Sequence, residues 1–296
     1  MSDGISPNWI AVDWGTSNLR AWAMSGSGTM LAEAASDQGM GKLSRDGFEP
    51  ALRALVGDWL RDATPVIACG MVGSRQGWTE AAYAAVPCAP LPDGLTRPDT
   101  ALNVHIIPGL KQTEPPDVMR GEETQIAGFL ALNPGWDGVL CLPGTHSKWA
   151  HVSAGEVVSF QTCMTGDLFA AICGHTVLKH STGDGWDDDA FAAGLDTGLS
   201  RPERLAARLF SLRAEGLLTG LGISAATARL SGLLIGAELA ATKPYWLGQQ
   251  VAVIGAGRLA GHYVRALALQ GVPATQAQGD RATLAGLTAA YRRLKG

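Results

Sequence analysis

Trp9-Ile10-Ala11-Val12-Asp13-Trp14-Gly15-Thr16-Ser17-Asn18-Leu19-Arg20 is an apolar run that ends on an aspartate, turns through small polar residues and returns to apolar sequence. Such a run reads as a buried strand, and Leu19 to Met24 and Thr29 to Ala34 read as the next two, joined by the turn Ser25-Gly26-Ser27-Gly28. Gly15 lets the backbone turn tightly and come close to a ligand. Thr16, Ser17 and Asn18 offer hydroxyl, amide and backbone donors to phosphate oxygens. Asp13 is the residue type that partners Mg2+ beside phosphate. Arg20 adds positive charge, and Trp14 and Arg20 are candidates to line the floor of a substrate site. An ordinary hairpin with a polar turn accounts for the same residues, so the functional reading depends on the rest of the chain.

Farther along, the second half repeats this opening in outline. Gly138 to Leu142 is again a short apolar strand, followed by Pro143-Gly144-Thr145, with two further candidate strands at Lys148–Val152 and Val157–Gln161. Between the two openings lie a helical pattern from Phe48 to Leu60, short buried strands at Pro65–Cys69 and Val104–Ile107, an ordered Pro- and Gly-rich loop over 86–100, and a helix from Glu122 to Leu132 that Asn133-Pro134-Gly135 ends. The second half continues with helical patterns near 166–173, 190–195, 202–212 and 225–241. A strand at Gln250–Ile254 follows, then a helix from about Leu259 and a last one over 282–294. Two α/β domains that each begin with strands, 1–134 and 135–296, would bring both Gly-Thr turns to one cleft.

Three more segments bear on chemistry. Val251-Ala252-Val253-Ile254-Gly255-Ala256-Gly257 is strand, glycine turn and helix start, a nucleotide-site geometry in which Gly255, Ala256 and Gly257 suit packing against adenosine. It is not GxGxxG, and the chain holds no GxxxxGK[ST], which argues against a nicotinamide enzyme and a P-loop kinase. Val118-Met119-Arg120-Gly121-Glu122-Glu123 sets two carboxylates at a helix start, where the helix dipole alone would favour them. The loop Gly70 to Trp78 follows a strand and carries Gly73, Ser74, Arg75 and Gln76, candidates for part of a substrate site; Arg75 could pair bidentately with a carboxylate, and a solvated loop arginine accounts for it equally well.

Composition narrows the classes. The chain has 296 residues, 46% hydrophobic and 17% charged, with net charge −4, so a packed core is expected and broad disorder is not. No basic block suggests nucleic acid. The start, Met1 to Asn8, does not read as a signal peptide, and no run reaches the length of a membrane span, so no membrane partner and a cytoplasmic location are expected. Five cysteines without a CxxC pair read as thiols in a reducing compartment. Asp187-Asp188-Asp189 reads as a capped helix start rather than a metal cluster. The small, apolar helix over 230–241 reads as buried at a domain or subunit contact, which leaves a homo-oligomer open.

These blocks resemble the sugar-kinase, Hsp70 and actin superfamily and, more narrowly, the 2-dehydro-3-deoxygalactonokinase family. The resemblance runs in order through Ile10–Thr16, Ala68–Ser74, Ile106–Gly109, Met119–Gln125, Pro143–Trp149, Met164–Leu168 and Ser231–Glu238. It implies two actin-like (ribonuclease H-like) α/β domains with an ATP cleft between them. It also implies phosphorylation of 2-dehydro-3-deoxy-D-galactonate at its 6-hydroxyl, with ATP and Mg2+ as cofactors. Gly15–Asn18 would be the first phosphate loop, Gly144-Thr145 the second and Gly255–Gly257 the adenosine motif, with Asp13 toward Mg2+. In glycerol- and xylulose-type kinases a Gly-Asp-Gln at a helix start supplies the general base. Gly121-Glu122-Glu123 stands in that place here, so Glu122 is the preferred base, with Glu123, Asp13 and Asp167 as rivals. The galactonate and gluconate epimers differ at one hydroxyl whose partner the sequence does not reveal.

Overall fold

An uninterrupted apolar strand is stable only where both faces are covered, and the first strand is built that way. A computed structural model describes residues 5–61 and 63–296; Met1 to Gly4, the start of the stretch read as lacking a signal peptide, lie outside them. β1 (Trp9–Trp14) is buried at every position except the half-exposed Asp13. It pairs antiparallel with β2 (Leu19–Met24), placing Asp13 opposite Arg20, and parallel with β4 (Val66–Gly70), placing Asp13 opposite Cys69. With β3 (Met30–Ser36) and β6 (Val104–Ile106) they form a sheet ordered β3-β2-β1-β4-β6.

One face of this sheet takes α1 (Phe48–Val56). Its Phe48, Leu52 and Val56 recur every fourth residue and pack among Ile10, Val12 and Trp14. The expected helix to Leu60 ends at Val56 and finishes as a short 3-10 turn, Gly57–Trp59. The other face takes α2 (Glu122–Leu132) and the last helix, α9 (Gly279–Lys295). Leu287, Ala290 and Tyr291 join Trp9, Ala11 and Ile67 there, and the Tyr291 and Trp9 rings stack at 4.6 Å. α2 and α9 touch backbone to backbone, since a Cβ at Gly128 would strike Ala282 and one at Gly286 would strike Thr124.

A three-stranded sheet, β5 (Tyr83–Ala85), β7 (Gly109–Thr113) and β8 (Pro116–Met119), adjoins these elements in the order β5-β7-β8. The sequence reading missed it because only Gly109, Leu110 and Met119 are buried in it, so no apolar run marks its strands.

The second sheet repeats the first. β9 (Gly138–Leu142) is central and wholly buried, flanked by β10 (Ser147–Ser153) and β11 (Glu156–Cys163) on one side. On the other side are β12 (Val251–Ile254) and β13 (Ala274–Ala277), both in parallel register. The order β11-β10-β9-β12-β13 matches the first sheet position for position: a leading strand, its hairpin, then parallel strands. This is the duplicated ribonuclease H-like α/β arrangement of the actin-like fold. β13 had no apolar run to announce it: its Thr275 and Gln276 are exposed.

Around this sheet lie α3 (Thr165–His175), α4 (Asp188–Ser200), α5 (Leu205–Leu218), α6 (Ile223–Ala241), the one-turn α7 (Lys243–Trp246) and α8 (Gly257–Leu269). Asp187 caps α4 by accepting the Ala190 N–H at 2.9 Å, the role read for it. Gly194 and Gly198 of α4 meet Gly232 and Gly236 of α6 so closely that a Cβ on any of them would collide with the opposite backbone. α6 is long and apolar enough to cross a membrane by length and composition, yet 67% of its apolar window is buried inside the protein.

The chain forms two compact units. One runs to Asp137 and adds Val152–Ser159 and Gln278–Gly296; the other holds Gly138–His151 and Phe160–Ala277. The second unit therefore differs from a contiguous 135–296 segment. The chain's last helix rejoins the first unit because Gly286 and Tyr291 pack on α2 and β1.

Candidate active site

In the first unit the ends of β1 and β4 and the start of α2 converge. Gly70 ends β4 at φ 92° and Gly121 precedes α2 at φ 107°, conformations glycine adopts without strain. A Cβ on Gly70 would stand 3.4 Å from Asp13 Oδ1, and one on Gly121 3.4 Å from Gly70 Cα. Asp13 of β1 and Glu122 and Glu123 of α2 are thereby gathered beside the end of β4.

Arg20 holds Asp13: Nη2 donates to Asp13 Oδ2 at 2.7 Å and Nη1 to Asp280 Oδ1 at 2.6 Å. Burial disfavours the guanidinium charge, but the hydrogen bonds to the two aspartates outweigh it and hold Arg20 protonated. Asp280, in the first turn of α9, had no motif to announce it. Glu122 is half-buried and accepts the Arg120 N–H at 3.1 Å. Glu123 is fully buried, accepting the Gly121 N–H at 2.6 Å and the Thr124 hydroxyl at 3.0 Å. Burial, reinforced by the charge of Glu122, pushes its carboxyl up to about 8. The Cys69 thiol, 3.9 Å from Asp13 Oδ1, is driven up by burial and by the charges of Asp13 and Glu123.

The first Gly-Thr turn projects Thr16, Ser17 and Asn18 into solvent. Its backbone is fixed from below: Gly15 N–H donates to the Asn18 carbonyl, and Met40 and Gly41 N–H donate to the Gly15 and Thr16 carbonyls, each at 2.9 Å. Trp14 is a correction. Its side chain is 1% exposed and packs against Phe48 and Trp78, with Nε1 donating to the Gln38 carbonyl at 2.9 Å. Strand alternation turns it inward where Asp13 turns out, so its indole is core and cannot line a substrate floor.

Gly73 packs close to Arg120 Nη1 and Ser74 is buried, whereas Arg75 is exposed and, among the described residues, only its carbonyl is engaged, by Arg45 at 3.2 Å. The candidate carboxylate grip is therefore solvated. Arg120, which no sequence signal singled out, is the buried cation of this region, 8% exposed.

In the second unit, Gly144 and Thr145 line a cavity of about 560 Å³. The start of α3 abuts them: Asp167 N–H donates to the Thr145 carbonyl at 3.0 Å, and a Cβ on Gly166 would strike the Gly144 carbonyl. Asp167 itself faces His146 at 3.4 Å. Gly255 stands near Pro143, and Gly257 opens α8 at φ 63°. The turn 255–257 is not part of the cavity wall; Arg258, Leu259 and His262, just beyond it, are.

The remaining wall comes from α6, including Ser231, Leu234 and Ile235, and from Gly183–Trp186, a segment no motif marked. Trp186 and His262 stack at 3.8 Å and 15°, and burial, aided by Arg258, keeps His262 toward its neutral form. Below the wall, Glu238 accepts from Trp149 Nε1 at 2.7 Å, Tyr263 OH at 2.7 Å and Ser147 Oγ at 3.1 Å. Among the described residues no cluster of three His, Cys, Asp or Glu could hold a metal by itself.

Known proteins with this arrangement are similar end to end. A family profile described as 2-keto-3-deoxy-galactonokinase matches residues 13–290. The chain is 40% identical to a probable 2-dehydro-3-deoxygalactonokinase of Rhizobium meliloti, covering 96% of each. It is 36% identical to the 2-dehydro-3-deoxygalactonokinase of Escherichia coli, covering 96% of this chain and 97% of that one. The crystal structure of a candidate 2-dehydro-3-deoxygalactonokinase from Sinorhizobium meliloti superposes with a TM-score of 0.88 at 38% identity, covering 97% of this chain and 96% of that one.

Proposed function

The chain belongs to the 2-keto-3-deoxy-galactonokinase family. From that premise we infer that it transfers the γ-phosphoryl group of ATP to the 6-hydroxyl of 2-dehydro-3-deoxy-D-galactonate, giving the 6-phosphate and ADP. The observation that carries this reading is the match along nearly the whole chain to a kinase of that acid.

The second unit's cavity takes the nucleotide. A glycine turn beside the N-terminus of the eleven-residue α3 offers backbone N–H groups and the favourable end of a helix dipole to phosphate. The Trp186–His262 stack supplies a flat wall of the kind a base packs on, and Arg258 adds positive charge on the same side. The first unit handles the acceptor. Glu122 accepts the hydroxyl proton as the oxygen attacks phosphorus. It needs position more than an unusual basicity, because alignment and charge stabilisation carry most of phosphoryl transfer. Glu123, neutral over most of the working range, holds the Gly121 turn from which Glu122 projects. The exposed donors of Thr16, Ser17 and Asn18 suit the transferring phosphoryl oxygens.

Asp13 fits Mg2+ in one respect. Oδ2 is taken by Arg20, while among the described residues Oδ1 has only the weak contact with Cys69 Sγ at 3.9 Å, leaving a carboxylate oxygen for an ion otherwise held by phosphate and water. When bound, Mg2+ would neutralise phosphate charge during transfer.

The test is ADP formation from Mg-ATP against a panel of sugars, polyols and 2-dehydro-3-deoxy acids that includes both epimers. Saturable turnover with the galactonate-derived acid alone establishes the reading. Turnover with another acceptor overturns the substrate and keeps the kinase. If no acceptor raises the rate above background hydrolysis, the kinase reading fails.

A further inference from the structure

Resting on that sugar-acid kinase reading, we propose that the acceptor's carboxylate is gripped by Arg120 and Ser74. Arg120 links β8 to α2, and its side chain runs back toward β5. Nη2 donates to the Ala81 carbonyl at 2.7 Å, Nε to the Tyr83 hydroxyl at 3.4 Å, and the guanidinium lies 4.2 Å over the Tyr83 ring. Those contacts fix the guanidinium in place and leave Nη1 buried with no hydrogen-bond partner among the described residues. Ser74 is 4% exposed, and its Oγ is likewise buried and unpartnered.

The two orphans are linked through Gly73. Nη1 packs on the α-carbon of Gly73, where an added Cβ would stand 2.9 Å away, and Ser74 is the next residue. Native proteins rarely leave buried donors unpaired, and those that remain require an explanation. Here both are donors and one is cationic, and the glycine between them lets Nη1 pack close against the backbone, where a side chain would collide with it and with Ile106. The ligand that answers two such donors is an anion with two oxygens. One carboxylate oxygen takes the Nη1 N–H and the other takes the Ser74 O–H.

The placement also separates the two ends of the acceptor. The Arg120 backbone adjoins the proposed base through its N–H to Glu122, while its guanidinium reaches back to Ala81 and Tyr83. The carboxylate is thus held an arginine's length from the reacting hydroxyl. That spacing keeps the acceptor's own charge away from the incoming phosphoryl group. Both donors are closed to solvent without ligand, so binding shifts the Gly73–Trp78 loop enough to admit the carboxylate.

The experiment uses full-length protein and two acceptors, 2-dehydro-3-deoxy-D-galactonate and its carboxamide. Ser74→Ala removes an unpaired buried hydroxyl, so the melting temperature of the free variant stays level or rises. At the same time the KM for the acid rises about tenfold, the scale of one charge-assisted hydrogen bond, with the ATP KM unchanged. Arg120→Met erases most of the preference for acid over carboxamide. A purely structural role predicts the opposite pattern. Ser74→Ala would then melt lower with an unchanged acid KM, or Arg120→Met would depress acid and carboxamide turnover equally, and either result overturns the assignment. If the wild type phosphorylates no sugar acid at all, the functional reading falls and this subsite with it. If the wild type is active and both variants discriminate as it does, the subsite alone falls.

Discussion

The turn after β1 and the turn after β9 hold the same place in two sheets of the same order, yet their surroundings differ. Around the first, Asp13, Arg20, Glu122 and Glu123 form a cluster of ionisable groups, and the turn's carbonyls are closed off by residues 40 and 41. Around the second, the start of α3 and the walls from α6 and α8 leave a cavity of about 560 Å³. The sheet topology decides where a turn emerges; the segments packed on that turn decide whether it presents charge or space. The proposed function assigns proton handling to the first turn and the nucleotide to the second.

The largest break in this comparison comes from Glu122→Gln. It removes the proposed base and is expected to lower kcat by about 10²–10⁴-fold, with both KM values within a few-fold, read by steady-state kinetics. A loss below tenfold moves the role to Glu123, Asp13 or Asp167. Gly166→Val probes the other turn. Its side chain must displace the Gly144 carbonyl, so stability in denaturant should fall by about 1–3 kcal/mol. Nucleotide affinity by calorimetry should weaken about tenfold or more if α3 shapes the phosphate site. Unchanged affinity would take the nucleotide out of this cavity.

Glu123 gives a pH signature confined to the first turn. Its carboxyl titrates near 8 in the folded chain against 4.5 for the free group, so the folded state keeps a proton that the unfolded state has already lost. Its stabilising contribution is complete below about pH 4.5 and declines as pH rises to about 8, at about 1.4 kcal/mol per pH unit. Denaturant melts of Glu123→Gln across that range should be flatter than those of the wild type. Parallel curves would mean that Glu123 is ionised in the fold. The smallest effect is expected from Arg75→Ala. With its guanidinium in solvent, stability should move by less than about 0.5 kcal/mol, and acceptor KM should change by less than about twofold if Arg120 carries the carboxylate. A larger KM change returns Arg75 to the site.

Strands buried on both faces were legible residue by residue. β1, β2, β9 and the helix α2 stand where their apolar runs and glycine punctuation put them. The small sheet β5-β7-β8 and the edge strand β13 were not legible, because Lys111, Thr113, Thr275 and Gln276 are exposed and leave no pattern to read. The site divides in the same way. Asp13, Arg20 and Glu122 were visible because each sits at a strand end, beside a turn or at a helix start. Trp14 was misplaced because an aromatic next to an aspartate looks alike whether it faces a ligand or Phe48. That Arg120 is buried and Arg75 exposed could not be read from the sequence, since a guanidinium in a glycine loop and one between a strand and a helix carry equal weight in a linear reading.

Two repeated strand-turn openings, the positions of both Gly-Thr turns and the carboxylates at the start of α2 follow from neighbouring residues alone, because turn chemistry and strand burial are local. The raised carboxyl of Glu123, the clasp of Arg20 between Asp13 and Asp280, the cavity under Trp186 and His262 and the unpaired donors of Arg120 and Ser74 required the folded chain. Desolvation, charge and hydrogen-bond pairing act through space, and the residues that set them lie as far apart in the chain as Asp13 and Asp280.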